Sequence, residues 1–217
     1  MSLDLSPGAL REGLIIYFIL VASLCIHEWA HAFVADKLGD DTPRLQGRVT
    51  LNPLVHMDPL GSVLFPLLCI FVLPGSFFFA WGRPVIINPS NFAHRVRDDI
   101  LTTAAGPGAN LMLALLFAVV GGLSYRFDPS TLQLFNLGIS INVSLAVFNL
   151  IPLPPLDGGQ IMRHLVGMNE ETFIAISRWS FLLLLLLFRI PAFNLILLKA
   201  RILFSIPFSY VYQLLSS

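Results

Sequence analysis

The residues best suited to chemistry in this chain are His27, Glu28 and His31, which form the pattern His-Glu-x-x-His. Side chains four residues apart lie on one face of a helix, so both imidazoles can reach a single metal ion. Imidazole nitrogens are common zinc ligands, and a glutamate beside the first ligand can accept a proton from water. The pattern therefore predicts a hydrolytic zinc site with Glu28 as the general base.

These three residues lie inside an apolar stretch, and this setting argues against a chance match in an ordinary helix. Ionisable side chains within a membrane span are costly and usually functional. Three of them within five residues need a partner that stabilises them, and a metal ion is such a partner.

Two histidines and a water leave tetrahedral zinc one ligand short, so a third residue must complete the set. Asp157 is the best candidate, because it follows three prolines and precedes Gly158 and Gly159. The prolines break the preceding helix, and the glycines let the backbone turn tightly, so the carboxylate can be aimed back into a bundle. A solvated aspartate of an Asp-Gly turn is the alternative, and spacing alone leaves both open.

The composition places these residues in lipid. Among the 217 residues, 56% are hydrophobic and only 12% are charged, and the mean hydropathy is +0.78. A soluble domain carries about twice that charged fraction. The net charge is zero, so the charge balance does not indicate nucleic-acid binding.

About 20 apolar residues cross a bilayer as a helix, and five or six stretches of the chain could do so. Prolines interrupt the second stretch and directly follow the fourth, and Arg189 with Pro191 divides the last one into a helical hairpin. The first stretch is too long for a cleaved signal sequence and is interpreted as a retained span. The stretches are Leu10–Lys37, Pro59–Phe79, Ile100–Leu123, Leu132–Ile151 and Thr172–Leu215.

Two polar connections contain short β-rich runs bounded by Gly and Pro, one from Arg44 to Pro53 and one from Trp81 to Pro89. The first run predicts a strand that could pair with an extended peptide substrate. A small structural hairpin that caps the bundle is the alternative. The residues predicted to pair with substrate are Arg48, Val49, Thr50 and Leu51.

The sequence resembles the site-2 protease family of intramembrane zinc metalloproteases. The resemblance rests on His27–His31 in an early span and on Leu156-Asp157-Gly158 after a later span that bears Asn and Pro. It also includes Gly106-Pro107-Gly108-Ala109-Asn110 and the segment Gly47–Gly61, which is similar to the short branch of the family. Relatives often carry PDZ or CBS domains, and 217 residues leave room for neither.

The resemblance implies that His27, His31 and Asp157 hold one Zn²⁺ per chain and that Glu28 is the catalytic base and acid. It also implies that Asn149 helps to hold the substrate carbonyl or its oxyanion. The expected activity is hydrolysis of peptide bonds in or near transmembrane segments. The expected substrates are membrane proteins or signal-peptide-like segments.

The remaining histidines, Asn110 and the two cysteines are interpreted mainly as residues with structural roles. His56 is either adjacent to the site or a polar loop histidine, and His94 and His164 are interpreted as loop residues. Asn110 is expected to form hydrogen bonds between helices. Cys25 and Cys69 are interpreted as small filler, because two cysteines in apolar runs exclude a disulfide scaffold.

The overall prediction is an all-α polytopic membrane protein with five or six transmembrane helices and a small β-element near the active site. It forms a single domain, with a catalytic core at about 8–166 and the helical hairpin at about 171–215. The expected location is the cell membrane of a prokaryote, with a regulatory partner or homo-oligomerisation and no nucleic acid. A membrane metal transporter and a non-catalytic membrane chaperone are the competing functions.

Overall fold

The structure, a computed structural model, describes residues 6–73 and 80–217. These residues are predominantly helical, and the only β-pairing among them is an isolated antiparallel bridge between Met57 and Gly82. The all-α prediction is therefore confirmed. The predicted strand over Arg48–Leu51 is not confirmed, because Val49 and Thr50 form a bend and the residues on either side have no regular structure.

The chain divides into two compact units, with the boundary between Ala93 and His94. This boundary falls inside the region predicted as the catalytic core. The single domain with its C-terminal hairpin stays a prediction.

Helices of the first unit begin with proline in their first turn, where the missing N–H is not needed for helical hydrogen bonding. Side chains of Ser6, Asn52 and Asp58 accept hydrogen bonds from the first turns of three of these helices. The helices are α1 (Pro7–Lys37), α2 (Thr42–Leu45), α3 (Pro53–His56) and α4 (Pro59–Val72), and a 3-10 turn follows at Pro89–Asn91.

Helix α1 is the framework of the first unit. Its 31 residues span about 46 Å, more than the roughly 30 Å of a bilayer core. Helices α2, α3 and the end of α4 pack against it. Gly13 permits this packing, since a Cβ there would lie 2.4 Å from the ring of Phe71.

The second unit is built around α5 (Arg95–Tyr125), which packs against α6 (Leu132–Asn149), α7 (Asp157–Leu165) and α9 (Pro191–Ser216). Helix α8 (Glu170–Leu187) lies between α7 and α9 in the chain. The core combines small side chains on α5 with branched ones on α6. Its buried members are Ala114, Ala118, Ile139, Val143, Val147 and Tyr212.

A buried amide pair links α5 to α6. Asn110 donates a hydrogen bond to Asn142 at 3.1 Å, and Asn142 donates to the Gly138 carbonyl at 3.0 Å. Gly138 lets the helices approach closely, because a Cβ there would lie 2.4 Å from the Phe117 ring. The predicted interhelical role of Asn110 is confirmed.

Four helices of the described chain are long and apolar enough to cross a membrane: Pro7–Lys37, Arg95–Tyr125, Pro129–Asn149 and Pro191–Ser216. The predicted count of five or six is not confirmed. Within the described residues, the second predicted span is realised only as α4, which is shorter than a span, and Pro74-Gly75 lie outside them. Helix α8 carries Glu170, Glu171 and Arg178, which lower its apolar character.

Candidate metal centre

The two histidines of the motif face each other on α1. Their Nε2 atoms are 3.1 Å apart, and the ring centroids are 4.7 Å apart. Only 5% of His27 and 7% of His31 is exposed. The helical spacing therefore brings two imidazoles together in the interior, as the sequence predicted.

This arrangement fits a shared zinc ion. Two nitrogen ligands at the usual Zn–N distance lie about 3.3 Å apart when the geometry is tetrahedral. The observed nitrogen separation of 3.1 Å is close to this value. His27, His31 and Asp157 each offer a ligand atom of a type that zinc accepts.

Glu28 is also buried, with 9% of its surface exposed. Gly82 lies against it, since a Cβ on Gly82 would be 2.8 Å from Glu28 Cγ and 3.1 Å from Oε1. An added Cβ at residue 82 would therefore displace the Glu28 side chain from its observed position. The sequence analysis missed Gly82, although an isolated glycine in a strand-like run signals close backbone approach.

The segment that carries Gly82 is tied to α3 and α4. Gly82 pairs with Met57, the Arg83 N–H donates to the His56 carbonyl at 2.7 Å, and the Ser62 hydroxyl donates to the Trp81 carbonyl at 2.7 Å. The space beside Glu28 is therefore set by backbone contacts on both sides of Gly82.

Arg48 forms a buried clamp rather than part of a strand. Its guanidinium donates hydrogen bonds to the carbonyls of Val55, Arg83 and Pro84. Burial lowers the pKa of Arg48, and the negative charge of Glu28 opposes this effect. The clamp connects α3 to the segment that carries Gly82.

The clamp and its neighbours explain why Arg48–Leu51 is not a strand. The Thr50 N–H donates back to the Arg48 carbonyl at 2.9 Å, which closes a turn. The Thr50 carbonyl contacts His56 Nε2 at 2.8 Å, and the Leu51 carbonyl accepts from Cys25 Sγ at 3.5 Å. Two carbonyls that a partner strand would need are thus already in use.

His56 is buried at the end of α3 and holds the connection that follows α1. Its Nε2 lies 2.8 Å from the Thr50 carbonyl, while its Nδ1 has no hydrogen-bond partner in the described part of the chain. Burial lowers the pKa of His56, partly offset by the Thr50 contact. The contact with Thr50 supports an organising role for His56.

Asp157 and Asn149 flank the break between α6 and α7. Asn149 is the last residue of α6, where its side-chain amide donates to the Leu145 carbonyl at 3.0 Å. Asp157 is the first residue of α7. The helix break at the prolines is as predicted, and Asp157 lies in a helical first turn rather than in a free Asp-Gly turn.

Gly158 and Gly159 are needed for space, not for an unusual backbone angle. A Cβ on Gly158 would lie 2.3 Å from the Leu150 carbonyl oxygen, and one on Gly159 would lie 2.4 Å from the Pro154 nitrogen. Neither glycine is among the described residues with positive φ. The two glycines let the first turn of α7 pack directly on the preceding loop.

The interpretation of His164 as a loop residue is wrong. His164 lies in the last turn of α7, and its Nε2 is 2.6 Å from Asp99 Oδ2. His94 does lie outside the helices, immediately before α5. The structure thus gathers His27, Glu28 and His31 with Gly82 in the first unit, and places Asn149 and Asp157 in the second.

Comparisons with known proteins place the chain in a family. The model of Peptidase family M50 matches residues 126–187. The chain is 38% identical over 195 residues to "Putative zinc metalloprotease YwhC" of Bacillus subtilis, covering 85% of this chain and 84% of the relative. No solved structure matches the chain.

Two mycobacterial relatives are also similar. "Putative zinc metalloprotease Rip2" of Mycolicibacterium smegmatis is 35% identical over 187 residues, 82% of this chain and 69% of the relative. Its namesake in Mycobacterium tuberculosis strain H37Rv is 31% identical over 185 residues, 80% of this chain and 66% of the relative. The chain therefore belongs to peptidase family M50, the site-2 protease family.

Proposed function

We propose that this chain is an intramembrane zinc metalloprotease that hydrolyses peptide bonds in or near the transmembrane segments of membrane proteins. The observation that carries the proposal is the buried pair His27 and His31, 3.1 Å apart on a helix apolar enough to span a membrane, with Glu28 beside them. Membership of family M50 and the names of the relatives support the same activity.

The ligands of a single zinc ion would be His27, His31 and Asp157. The nitrogen spacing of the histidines supports the first two, and the position of Asp157 after the helix break supports a carboxylate as the third. When bound, zinc supplies Lewis acidity, which acidifies water and polarises a peptide carbonyl.

Glu28 moves the proton in this mechanism. Its carboxylate takes a proton from the attacking water as the new C–O bond forms, and returns it to the peptide nitrogen as the C–N bond breaks. The buried position of Glu28 and its close contact with Gly82 support this role, because they limit the orientations that the carboxylate can adopt.

Asn149 donates a hydrogen bond to the substrate carbonyl oxygen as negative charge develops there. A side-chain amide carries two N–H donors, and the contact with the Leu145 carbonyl uses one of them. That contact also fixes the direction of the amide, which supports a positioned donor.

A substrate helix must unwind locally before cleavage, because its carbonyls already accept hydrogen bonds within the helix. The predicted β-element would then form by pairing of the unwound peptide with this chain. Arg48–Leu51 remains the predicted partner. Residues 85–87, which follow the Gly82 bridge and lie in neither helix nor turn, are a second candidate.

The chain is an integral membrane protein, in accordance with its family and its four long apolar helices. We infer that α4 and α8 also enter the membrane, which would restore five or six membrane-embedded segments. The bacterial relatives support the cell membrane of a prokaryote as the location. Signal-peptide-like segments are the second expected substrate class, and a regulatory partner or homo-oligomer would control access.

The test compares purified wild type with Glu28→Gln in detergent. Zinc per chain is measured by elemental analysis, and cleavage is measured on a panel of single-span membrane peptides that includes signal sequences. We expect about one zinc in each protein and cleavage lowered by about 100-fold or more in Glu28→Gln. Glu12→Gln, the same change at an exposed position of α1, is the matched control and should cleave normally.

Cleavage by Glu28→Gln at the wild-type rate would show that Glu28 is not the base. An absence of bound metal would refute the zinc site. Zinc binding without cleavage of any peptide by wild type would favour the transporter or the chaperone over a protease.

A further inference from the structure

Asp99 is a buried carboxylate that the proposed mechanism does not use. It lies near the start of α5 with 4% of its surface exposed. Both side chains that contact its Oδ2 come from α7: Gln160 Nε2 donates at 2.9 Å, and His164 Nε2 lies at 2.6 Å. A carboxylate only accepts, so His164 carries its proton on Nε2 when Asp99 is ionised.

The residues on α7 that contact Asp99 lie on the same face of that helix as Asp157. Gln160 is three residues after Asp157 and His164 is seven residues after it, so the three side chains follow one helical stripe. A carboxylate buried with two donors from one short helix fixes both the rotation and the axial position of that helix. A rotation of α7 that moved Asp157 would break the contacts with Asp99 as well.

The first turn of α7 is constrained in a second way. Gly158 and Gly159 lie against the backbone of the preceding loop, where a Cβ would approach the Leu150 oxygen to 2.3 Å. This packing restricts the start of the helix, and Asp99 restricts it one and two turns later. A buried carboxylate that lacks hydrogen-bond partners costs free energy. The folded state therefore favours conformations in which Asp99 keeps its contacts with Gln160 and His164.

We propose that Asp99 is a positioning residue, which through Gln160 and His164 sets the placement of the Asp157 carboxylate for zinc binding. The inference rests on the proposed function, in which Asp157 is a zinc ligand. Asp99 acts through α7 and takes no part in the chemical steps.

Asp98 provides a matched control. It is also a buried aspartate in the first turn of α5, but its carboxylate accepts from the His94 backbone N–H and from Arg97, and so caps its own helix. Substitution of Asp98 removes a buried carboxylate of α5 without removing a contact of α7. A general loss of stability should therefore appear in both variants.

The experiment measures zinc affinity by chelator competition, together with kcat, KM and thermal unfolding, for the full chain in detergent. We expect Asp99→Ala to weaken zinc binding by about tenfold and to lower kcat, as is typical when outer contacts of a metal site are lost. Asp98→Ala should lower the unfolding temperature and leave zinc affinity unchanged. Equal zinc affinity in wild type and Asp99→Ala would overturn the proposal.

Two histidine variants keep the test decisive if Asp99→Ala does not fold. His164→Gln retains an N–H donor and should keep zinc affinity within about twofold of wild type, whereas His164→Leu should weaken it by about tenfold. Equal zinc affinity in these two variants would count against the proposal.

A double-variant cycle separates this proposal from the function on which it rests. The cycle uses the residual zinc affinity of the two histidines, measured at zinc concentrations high enough to load the Asp157→Ala protein. If Asp99 acts through Asp157, Asp99→Ala should leave this residual affinity unchanged. If Asp99→Ala still weakens zinc binding in that background, Asp99 does not act through Asp157. If Asp157→Ala alone leaves zinc affinity and cleavage intact, the ligand assignment in the proposed function has failed instead.

Discussion

The two units hold the side chains of the proposed site in different ways. In the first unit, His27, Glu28 and His31 lie within one uninterrupted helix, and their mutual geometry follows from the helical repeat. In the second unit, Asn149 ends one helix and Asp157 begins the next, with a proline-rich loop between them. Local periodicity is thus sufficient for the first set, whereas the second depends on packing around a helix break.

The sharpest test of this comparison removes one proposed ligand from each unit. We expect His31→Ala and Asp157→Ala each to lose bound zinc and to cleave more than about 1000-fold more slowly, since Lewis-acid assistance contributes several kcal/mol. Elemental analysis and peptide cleavage provide the measurements. His94→Ala, at an exposed histidine, should behave like wild type.

If Asp157→Ala keeps one zinc and normal cleavage while His31→Ala loses both, the second unit does not supply a ligand. The difference between the two units would then concern only how each one folds, and not how each one contributes to zinc binding.

Gly158→Ala tests the packing that carries Asp157. The added Cβ would meet the backbone of Leu150 and Ile151, which cannot move aside as a side chain can. We expect a loss of about 1–3 kcal/mol of stability together with weaker zinc binding, measured by thermal unfolding and chelator competition.

Gly108→Ala is the control, because a Cβ there would meet no atom within 4 Å beyond the neighbouring backbone of its own helix. Unchanged stability and zinc binding in Gly158→Ala would show that the loop before α7 adapts easily.

Gly82→Ala should have the smallest effect of the three, and it acts in the first unit. Its Cβ would contact the flexible side chain of Glu28, so the fold and zinc content should persist while kcat falls by about tenfold, because small misplacements of a catalytic group are costly. Cleavage kinetics on a fixed peptide measure this effect. Gly8→Ala, with open space around it, is the control, and a wild-type kcat in Gly82→Ala would show that the position of Glu28 tolerates displacement.

The sequence was most informative where the determining interactions are local. The proximity of His27 and His31, the helix break before Asp157 and the amide role of Asn110 all follow from residue type and spacing. The strand at Arg48–Leu51 is not confirmed, because the pattern does not reveal that the Arg48 guanidinium binds carbonyls up to 36 residues away. The same limit applies to Gly82, whose contact with Glu28 joins residues from distant parts of the chain.

His164 shows a second limit of the sequence. The run that follows Asp157 has two glycines and several polar residues, which obscured a short helix with one polar face. Only the structure reveals that this face contacts the buried Asp99.

The length of α1 also bears on how deep in the bilayer hydrolysis takes place. Arg11 and Glu12 precede Gly13, so the apolar part of the helix begins there, and His27 follows 14 residues later. For a helix along the membrane normal, this distance is about 21 Å of the roughly 30 Å hydrocarbon thickness. With this placement, the motif would lie in the last third of the membrane, within about two helical turns of one face, and water would need to penetrate only a short distance to reach it.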